Sequence, residues 1–338
     1  MIKEAIETVV SGHSLSFEQA AGAMEEIMGG EATPAQIAAF ITALRIKGET
    51  VDEIAGMASV MRAKAIPVVA TPPVVDTCGT GGDNCASINI STAAAFVAAG
   101  AGLKVAKHGN RAMTSRCGSA DVLEALGVKI DLGAEAVAEC LEKAGIGFMF
   151  APRFHPAMKH AAGPRREIGI RTVFNILGPL TNPARAEHQV IGVPSKELGS
   201  KIAAALQRLG TRHSLVVHSL DGMDEIAISG PSLVWEVDKA KVSSPYKISP
   251  HYFGFKQAKL DEIKGGTPEE NARMLSDILA GAKGPQRDVV VMNAAAVLFA
   301  ANRASDLKEG ARLAEEAIDS GHAREKLENL VKLSQSLG

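Results

Sequence analysis

The stretch VVDTCGTGGD, residues 74–83, joins the end of an apolar run to three glycines within four residues. The following NIST, residues 89–92, opens an Ala-rich run over 93–99. This order predicts a buried strand, a glycine loop and a helix N-terminus. Glycines let backbone N–H groups approach a ligand closely, and a helix N-terminus attracts anions, especially phosphate. The stretch therefore predicts an anion cradle with Asp83 beside it, or else a tight turn that needs glycine only for steric reasons.

Two common phosphate-binding motifs are absent from the sequence. The chain contains no Gly-Lys-Ser or Gly-Lys-Thr, which excludes a P-loop. The pair Gly79-x-Gly81 lacks the third glycine of the dinucleotide fingerprint, because Asn84 stands where Gly or Ala is required. The glycine loop therefore belongs to neither class.

The composition is that of an ordinary globular protein. Its 338 residues predict about two domains, and 46% hydrophobic with 22% charged residues can bury a large core. A net charge of -2 and 4% aromatic residues argue against nucleic acid or an acidic membrane as a partner. The four cysteines form no Cys-x-x-Cys pair and the N-terminus has no signal-peptide core, so we expect no zinc site and a cytoplasmic location.

Residues 1–68 are predicted to be entirely helical. Three helix starts carry the capping-box pattern, in which Ser16, Thr33 or Thr50 is followed three residues later by Gln or Glu. Pro34 stands at the first helical position after Thr33, where its missing N–H has no cost. Since no residue pattern here suggests chemistry, we expect a small helical domain or a subunit interface.

From Val74 the pattern changes to short apolar strands that alternate with helices. After the strand that leads into the glycine loop, the predicted strands cover residues 103–106, 128–130, 146–150, 190–193, 214–218, 226–229 and 233–237, with a last apolar run at 289–291 before an Ala-rich helix. Such alternation predicts an α/β fold with a mainly parallel sheet flanked by helices. Active sites of these sheets lie beyond the carboxyl ends of the strands, where the glycine loop is expected.

Residues 165–183 break this alternation. Arg165 is predicted to lie in a helix that runs through Leu177 and is ended by GPLTNP, residues 178–183. Here the chain is expected to return to the helical part before it resumes the sheet. The predicted domains are a small all-helical one, residues 1–68 plus about 166–186, and a large α/β one, residues 72–165 plus 187–338, with a hinge cleft between them.

A second ligand loop is predicted at KHGNR, residues 107–111, and through residues 114–121. It follows the strand that ends at Ala106, so it should emerge beside the glycine loop. Lys107 and Arg111 supply positive charge, while Ser115 and Ser119 supply neutral donors. A polyphosphate requires this mixture of charged and neutral donors. The alternative is a solvated basic loop.

An acidic turn and an arginine-rich stretch complete the candidates. DGMDE, residues 221–225, places Asp224 and Glu225 side by side at the end of a predicted strand, an arrangement that suits Mg²⁺. Such a pair by itself is more often a solvent-exposed turn. Residues 152–166 contain Arg165 among several arginines and histidines without zinc spacing. Arginine favours a carboxylate ligand, whereas His155 between Phe154 and Pro156 is more commonly a packed structural residue.

Taken in order, the motifs DTCGTGGD, NIST, KHGNR, GSAD, GPLTNP and DGMDE resemble those of the anthranilate phosphoribosyltransferase family. The resemblance covers almost the whole chain. It implies a homodimer that uses Mg²⁺, phosphoribosyl pyrophosphate and anthranilate to make phosphoribosyl-anthranilate in tryptophan biosynthesis. It also implies a small helical domain and a large α/β domain with a cleft at the hinge.

The resemblance also implies site residues, motif by motif. Phosphoribosyl pyrophosphate would contact Gly79, Gly82, Asp83, Ser87, Asn89, Ile90, Ser91, Thr92, Lys107, His108, Gly109, Asn110, Arg111, Ser115 and Ser119. Anthranilate would contact Gly79, Asn110 and Arg165, and Mg²⁺ would be held by Ser91, Asp224 and Glu225. No side chain is assigned as a general base. The chain departs from the family's usual Thr, Phe and Ser at Ser87, Ile88 and Cys117, which are mild changes.

Two alternatives share this fold. A pyrimidine nucleoside phosphorylase would bind phosphate and a nucleoside, but the pairs Asp224-Glu225 and Asn110-Arg111 argue against it. A non-catalytic relative would bind nucleic acid, but the net charge of -2 argues against that.

Overall fold

The computed structural model describes residues 1–83, 85–112 and 116–338 of the chain. Its first four helices are α1 Ile2–Val10, α2 Phe17–Gly29, α3 Pro34–Lys47 and α4 Val51–Lys64. The three predicted capping boxes all form: Ser16, Thr33 and Thr50 each accept the N–H of the third helical residue, whose own side chain accepts the N–H of the cap. Local capping therefore determines three of these helix starts.

Among the described residues, seven strands form one sheet in the order β3-β2-β1-β4-β5-β6-β7. The strands are β1 Val74–Gly79, β2 Lys104–Gly109, β3 Ile146–Phe150, β4 His188–Gly192, β5 His213–Ser219, β6 Ser232–Asp238 and β7 Tyr246–Ile248. The first five pair in parallel, and β6 and β7 are added antiparallel. The prediction of a mainly parallel α/β sheet is confirmed.

Helices connect the strands and cover the sheet. They are α5 Ile90–Gly100, α6 Ser119–Ala125, α7 Ala134–Lys143, α8 Ala151–Phe154, α9 Lys159–Ile168, α10 Phe174–Leu177, α11 Lys196–Arg208, α12 Pro268–Leu279, α13 Pro285–Ala300, α14 Leu307–Asp319 and α15 His322–Ser336. In the part of the chain that the structure describes, none of them combines the length and the apolar character that a membrane span requires.

The sheet separates two hydrophobic cores. Neighbouring residues of a strand face opposite sides. Accordingly, Val190 and Leu215 join a core with α5, α13 and α14, whereas Ile191 and Val216 join a core with α2, α3, α4 and α11. The N-terminal helices thus pack through α11 onto one face of the sheet. How the chain divides into domains stays a prediction.

Strand order places the glycine loop at a topological switch point. From β1 the chain moves outward through β2 and β3 on one side, and then returns to add β4 and β5 on the other. In open α/β sheets the crevice for a ligand lies beyond the carboxyl ends of the strands at this point. The loop after Gly79 emerges there.

The prediction of a strand is wrong for two short apolar runs. Residues 128–130 and 226–229 are irregular. Side chains replace strand neighbours at both places: the Lys129 N–H donates to Ser334 Oγ at 3.1 Å, and the Ile226 N–H donates to Asn293 Oδ1 at 3.0 Å. An apolar run whose backbone N–H groups donate to distant side chains has the same sequence pattern as a buried strand.

Other element boundaries also differ from the predictions. β2 continues to Gly109, so that Lys107 and His108 lie in the strand, and the apolar run 289–291 lies inside α13. The predicted helix from Arg165 through Leu177 is broken, because α9 ends at Ile168, the following Gly169 has a left-handed φ of 63°, and α10 begins only at Phe174. The segment between these two helices approaches the glycine loop.

Candidate active site

A cavity of about 540 Å³ lies at the carboxyl ends of β1 and β2. Every described residue of the predicted site lines it: Gly79, Gly82, Asp83, Ser87, Asn89, Ile90, Ser91, Thr92, Lys107, His108, Gly109, Asn110, Arg111, Ser119, Arg165, Asp224 and Glu225. Ser115, which was also predicted, lies outside the described residues. Both loops and the acidic turn therefore converge on one space.

The acidic turn packs directly onto the ends of two central strands. A Cβ at Gly192 would overlap the backbone of Asp224, so glycine is required there, and a Cβ at Gly79 would displace the Asp224 carboxylate. Asp224 Oδ2 accepts the N–H of Gly81 at 2.7 Å, and Glu225 Oε1 accepts the N–H of Ser91 at 3.2 Å. The two carboxylates thus occupy donors of the glycine loop and of the α5 N-terminus.

Burial makes both carboxyl groups weak acids. Burial, followed by the charge of Asp83, raises the pKa of Asp224 to about 7. Burial, followed by the charge of Asp224, raises the pKa of Glu225 to about 8. A nearby cation would favour the ionised form of both groups.

The donor chemistry of the acidic turn fits Mg²⁺. Adjacent carboxylates are hard oxygen ligands, and Mg²⁺ in proteins is typically held by one or two carboxylates with water and phosphate oxygens. Among the described residues no group of three or more His, Cys, Asp or Glu side chains is arranged to hold a metal ion. An ion at Asp224 and Glu225 would therefore take its remaining ligands from substrate and water.

Lys107 lies beneath the two loops and is only 2% exposed. Its Nζ donates to the Thr77 carbonyl at 2.7 Å and lies 3.5 Å from Ser91 Oγ. Burial lowers the pKa of Lys107, and the fully buried Asp76 opposes this effect. The Asp76 carboxylate itself accepts a hydrogen bond from Asn182 Nδ2 at 2.8 Å. This network holds a positive charge under the start of α5.

The charged side chains of the second loop form ion pairs within the protein. Arg111 Nη1 lies 3.1 Å from Asp121 Oδ1 and 2.8 Å from Glu124 Oε2. The other Asp121 oxygen accepts the N–H groups of Ala112 and Gly118, both at 2.9 Å. Arg111 lines the cavity, and its guanidinium is paired with these two carboxylates.

Arg165 enters the cavity from the last turn of α9. Its guanidinium stands over the ring of Phe174, with 5.0 Å between Cζ and the ring centroid. Burial lowers its pKa. Among the described residues it has no carboxylate partner, so its planar fork is available to a carboxylate from outside the chain.

Arg171 is a cavity residue that sequence reasoning missed. Its Nη2 donates to the carbonyls of Thr80 and Gly81, at 3.0 and 2.7 Å, and a Cβ at Gly82 would overlap its guanidinium. The side chain therefore clamps the glycine loop. Gly169 was the available signal, because a glycine after a basic last turn is a common helix stop and would have placed Arg171 in a loop.

Two models of one family match the chain. One is described as the glycosyl transferase family, helical bundle domain, and matches residues 3–65; the other is described as the glycosyl transferase family, a/b domain, and matches residues 71–324. The second alone spans more than half of the chain.

Similar proteins agree with these matches over nearly the full length. Anthranilate phosphoribosyltransferase from Dehalococcoides mccartyi is 61% identical over 338 residues, which is 100% of this chain and 99% of that protein. The crystal structure of the enzyme from Thermus thermophilus is 46% identical, with a TM-score of 0.93 over 98% of this chain and 99% of the other. The Saccharomyces cerevisiae enzyme in complex with phosphoribosyl pyrophosphate and Mg is 30% identical, with a TM-score of 0.91 over 99% and 98%. On its sequence, its fold and its converging loops, this chain belongs to the anthranilate phosphoribosyltransferase family.

Proposed function

We propose that this protein transfers the 5-phosphoribosyl group of phosphoribosyl pyrophosphate to the amine of anthranilate. The products are N-(5-phosphoribosyl)anthranilate and pyrophosphate, a step of tryptophan biosynthesis. The observation that carries the proposal is the single cavity in which the glycine loop, the end of β2, the acidic turn and Arg165 meet. The glycine loop and the end of β2 suit a polyphosphate, the acidic turn suits a cation, and Arg165 suits a carboxylate.

The chain's own residues would bind and polarise the pyrophosphate. Asp224 and Glu225, with Ser91 beside them, would hold Mg²⁺, which supplies charge that stabilises the departing pyrophosphate. Lys107 places a buried positive charge beneath α5, and the glycines 79, 81 and 82 let the backbone approach the phosphates. As the bond from C1 of the ribose to pyrophosphate breaks, positive charge develops on the sugar, and a preorganised site stabilises this separation of charge.

Arg165 would orient the second substrate. Its guanidinium is held against Phe174 and can receive the anthranilate carboxylate on its fork. The amine would then face C1 of the ribose, and this positioning supplies much of the remaining rate enhancement. The proton released by the amine would pass to the ortho carboxylate of the substrate, since no side chain is assigned as a base.

Loss of anthranilate fluorescence tests the proposal directly. The protein, Mg²⁺, phosphoribosyl pyrophosphate and anthranilate are mixed, and we expect fluorescence to fall only when all four are present. The double variant Asp224→Asn plus Glu225→Gln should lose at least about a hundredfold in turnover while its circular dichroism stays unchanged. Absence of fluorescence loss with the wild-type protein would refute the proposed reaction.

The alternatives give different results. Phosphorolysis of thymidine or uridine would indicate a nucleoside phosphorylase, and salt-dependent retention on DNA without turnover would indicate a nucleic-acid-binding relative. The acidic turn and the family relationship favour neither, and we expect no activity in both assays.

We further propose that the enzyme is a cytoplasmic homodimer. Val10 of α1 and Ile46 of α3 are apolar and exposed, at 68% and 82%, and an interface on these two packed helices would cover them. All four cysteines are free, in keeping with a reducing compartment. Light scattering should give twice the chain mass of 35.2 kDa, and Ile46→Glu should shift it towards one chain. A monomeric wild-type protein would refute the dimer.

A further inference from the structure

Asn89 stands at the N-cap of α5, yet its side chain does not cap the helix. An asparagine in this position commonly accepts the N–H of the second or third helical residue. Both of those groups have other partners here: the Ser91 N–H donates to Glu225 at 3.2 Å, and the Thr92 N–H donates to the backbone carbonyl of Asn89 at 3.1 Å. The Asn89 side chain therefore makes its hydrogen bonds with groups outside the helix.

That side chain is held from behind the cavity by Asn271, a residue of α12 that is 1% exposed. Asn271 Nδ2 donates to Asn89 Oδ1 at 2.8 Å. Asn89 Nδ2 in turn donates to the carbonyl of Cys117 at 3.1 Å. Asn89 lines the cavity and Asn271 does not, so any influence of Asn271 on a ligand passes through Asn89.

Backbone groups at both ends of the pair determine how the two amides are turned: the Gly266 N–H, which can only donate, and the Cys117 carbonyl, which can only accept. The Gly266 N–H donates to Asn271 Oδ1 at 2.7 Å, and a backbone N–H can only donate. Asn271 must therefore direct its Nδ2 at Asn89, and Asn89 must accept with its oxygen. The amide nitrogen of Asn89 carries two hydrogens, of which the bond to Cys117 uses one.

We propose that Asn271 is a positioning residue that, together with the Cys117 carbonyl, makes Asn89 present an N–H donor, and not an oxygen, to the ligand. The inference rests on the proposed function, because the oxygens of a phosphoribosyl pyrophosphate are acceptors for such a donor. Reversal of the Asn89 amide would place its oxygen against the Cys117 carbonyl and towards the ligand, where acceptors face acceptors. The sequence carries no local signal for this role, since the two asparagines are 182 residues apart.

Two variants separate positioning from folding. Asn271→Asp has nearly the same shape and still accepts the Gly266 N–H, but it has no donor for Asn89 when ionised. Asn271→Leu removes both bonds without adding charge, and it carries the same test if Asn271→Asp does not fold. Ser334→Ala is the matched control, because Ser334 of α15 is fully buried and accepts one backbone N–H, that of Lys129 at 3.1 Å, away from the cavity.

The measurements are the Kd for phosphoribosyl pyrophosphate with Mg²⁺ by calorimetry, the KM of each substrate, and thermal stability. We expect both Asn271 variants to raise the Kd and KM for phosphoribosyl pyrophosphate about tenfold, the loss typical of one hydrogen bond to a charged group. The KM for anthranilate at saturating phosphoribosyl pyrophosphate should stay within about twofold of wild type. Ser334→Ala should lower stability and leave all three constants unchanged.

Two different failures can be told apart. Asn271 variants that lose stability but keep the wild-type Kd for phosphoribosyl pyrophosphate would overturn the positioning role. A wild-type protein that neither binds phosphoribosyl pyrophosphate nor consumes anthranilate would overturn the proposed function instead.

Discussion

Acidification should destabilise this protein through a pair of buried histidines. His108, at the end of β2, and His155, after α8, are both buried, and their ring centroids lie 5.0 Å apart. Each has an Nε2 atom without a hydrogen-bond partner among the described residues. Burial lowers the pKa of His108 to about 3, with the charge of His155 as the next cause, and burial lowers the pKa of His155 to about 4.

The sign and size of the effect follow from proton linkage. The unfolded chain binds a proton at each histidine near pH 6.5, whereas the folded chain does so only near pH 3 to 4. Stability is therefore lost as the pH falls below about 6.5, and the loss levels off only below the folded pKa values. At pH 5.0 the loss is about 2 kcal/mol for each histidine, or about 4 kcal/mol for the pair.

The substitution His155→Gln isolates one histidine. Urea unfolding followed by circular dichroism at pH 7.5 and pH 5.0 gives the change in the free energy of unfolding with pH. We expect that change to be about 2 kcal/mol smaller in His155→Gln than in wild type. With an unfolding entropy of about 0.7 kcal/mol/K for a chain of this length, the Tm should show a difference of about 3 °C in the same direction.

An exposed histidine provides the control for this experiment. His251→Gln replaces an exposed histidine, and its pH dependence should match that of wild type. Equal pH dependence in His155→Gln and wild type would show that the folded protein binds a proton at His155 as readily as the unfolded chain, and the burial argument would then be wrong.

Three further predictions concern the active site. Gly192→Ala would push a Cβ into the backbone of Asp224, so the affinity for Mg²⁺ with pyrophosphate, measured by calorimetry, should fall about tenfold. Gly230→Ala should leave this affinity unchanged, because its Cβ would meet no atom of the described residues within 4 Å. Equal affinities of the two variants would contradict the packing of Gly192 against Asp224. Because burial raises the pKa of Asp224 to about 7 and that of Glu225 to about 8, protons should compete with the cation, and Mg²⁺ affinity should rise at least about tenfold from pH 6 to pH 8. A flat pH profile would refute this competition. Arg171→Ala should raise the KM for phosphoribosyl pyrophosphate about tenfold, since it removes two charge-assisted hydrogen bonds from the glycine loop. Arg171→Lys should recover only part of this loss. A wild-type KM in Arg171→Ala would show that Arg171 does not hold the glycine loop.

Much of the fold and of the candidate site could be predicted from the sequence, because the interactions concerned are local. The capping boxes at Ser16, Thr33 and Thr50 close within three residues, so they form wherever the chain carries them. The glycine loop and the acidic turn also follow their strands directly. Parallel strands bring such loops to one edge of the sheet, which is why most of the predicted residues line a single cavity.

Tertiary structure alone decided the rest. Residues 226–229 have the pattern of a strand, but Asn293 satisfies the backbone of Ile226 from 67 residues away. Arg171 clamps carbonyls about 90 residues earlier in the chain, and Asn271 orients an asparagine 182 residues away. A short apolar or polar run has the same local pattern whether its backbone partner is a neighbouring strand or a distant side chain, so only the packed structure shows which one it meets.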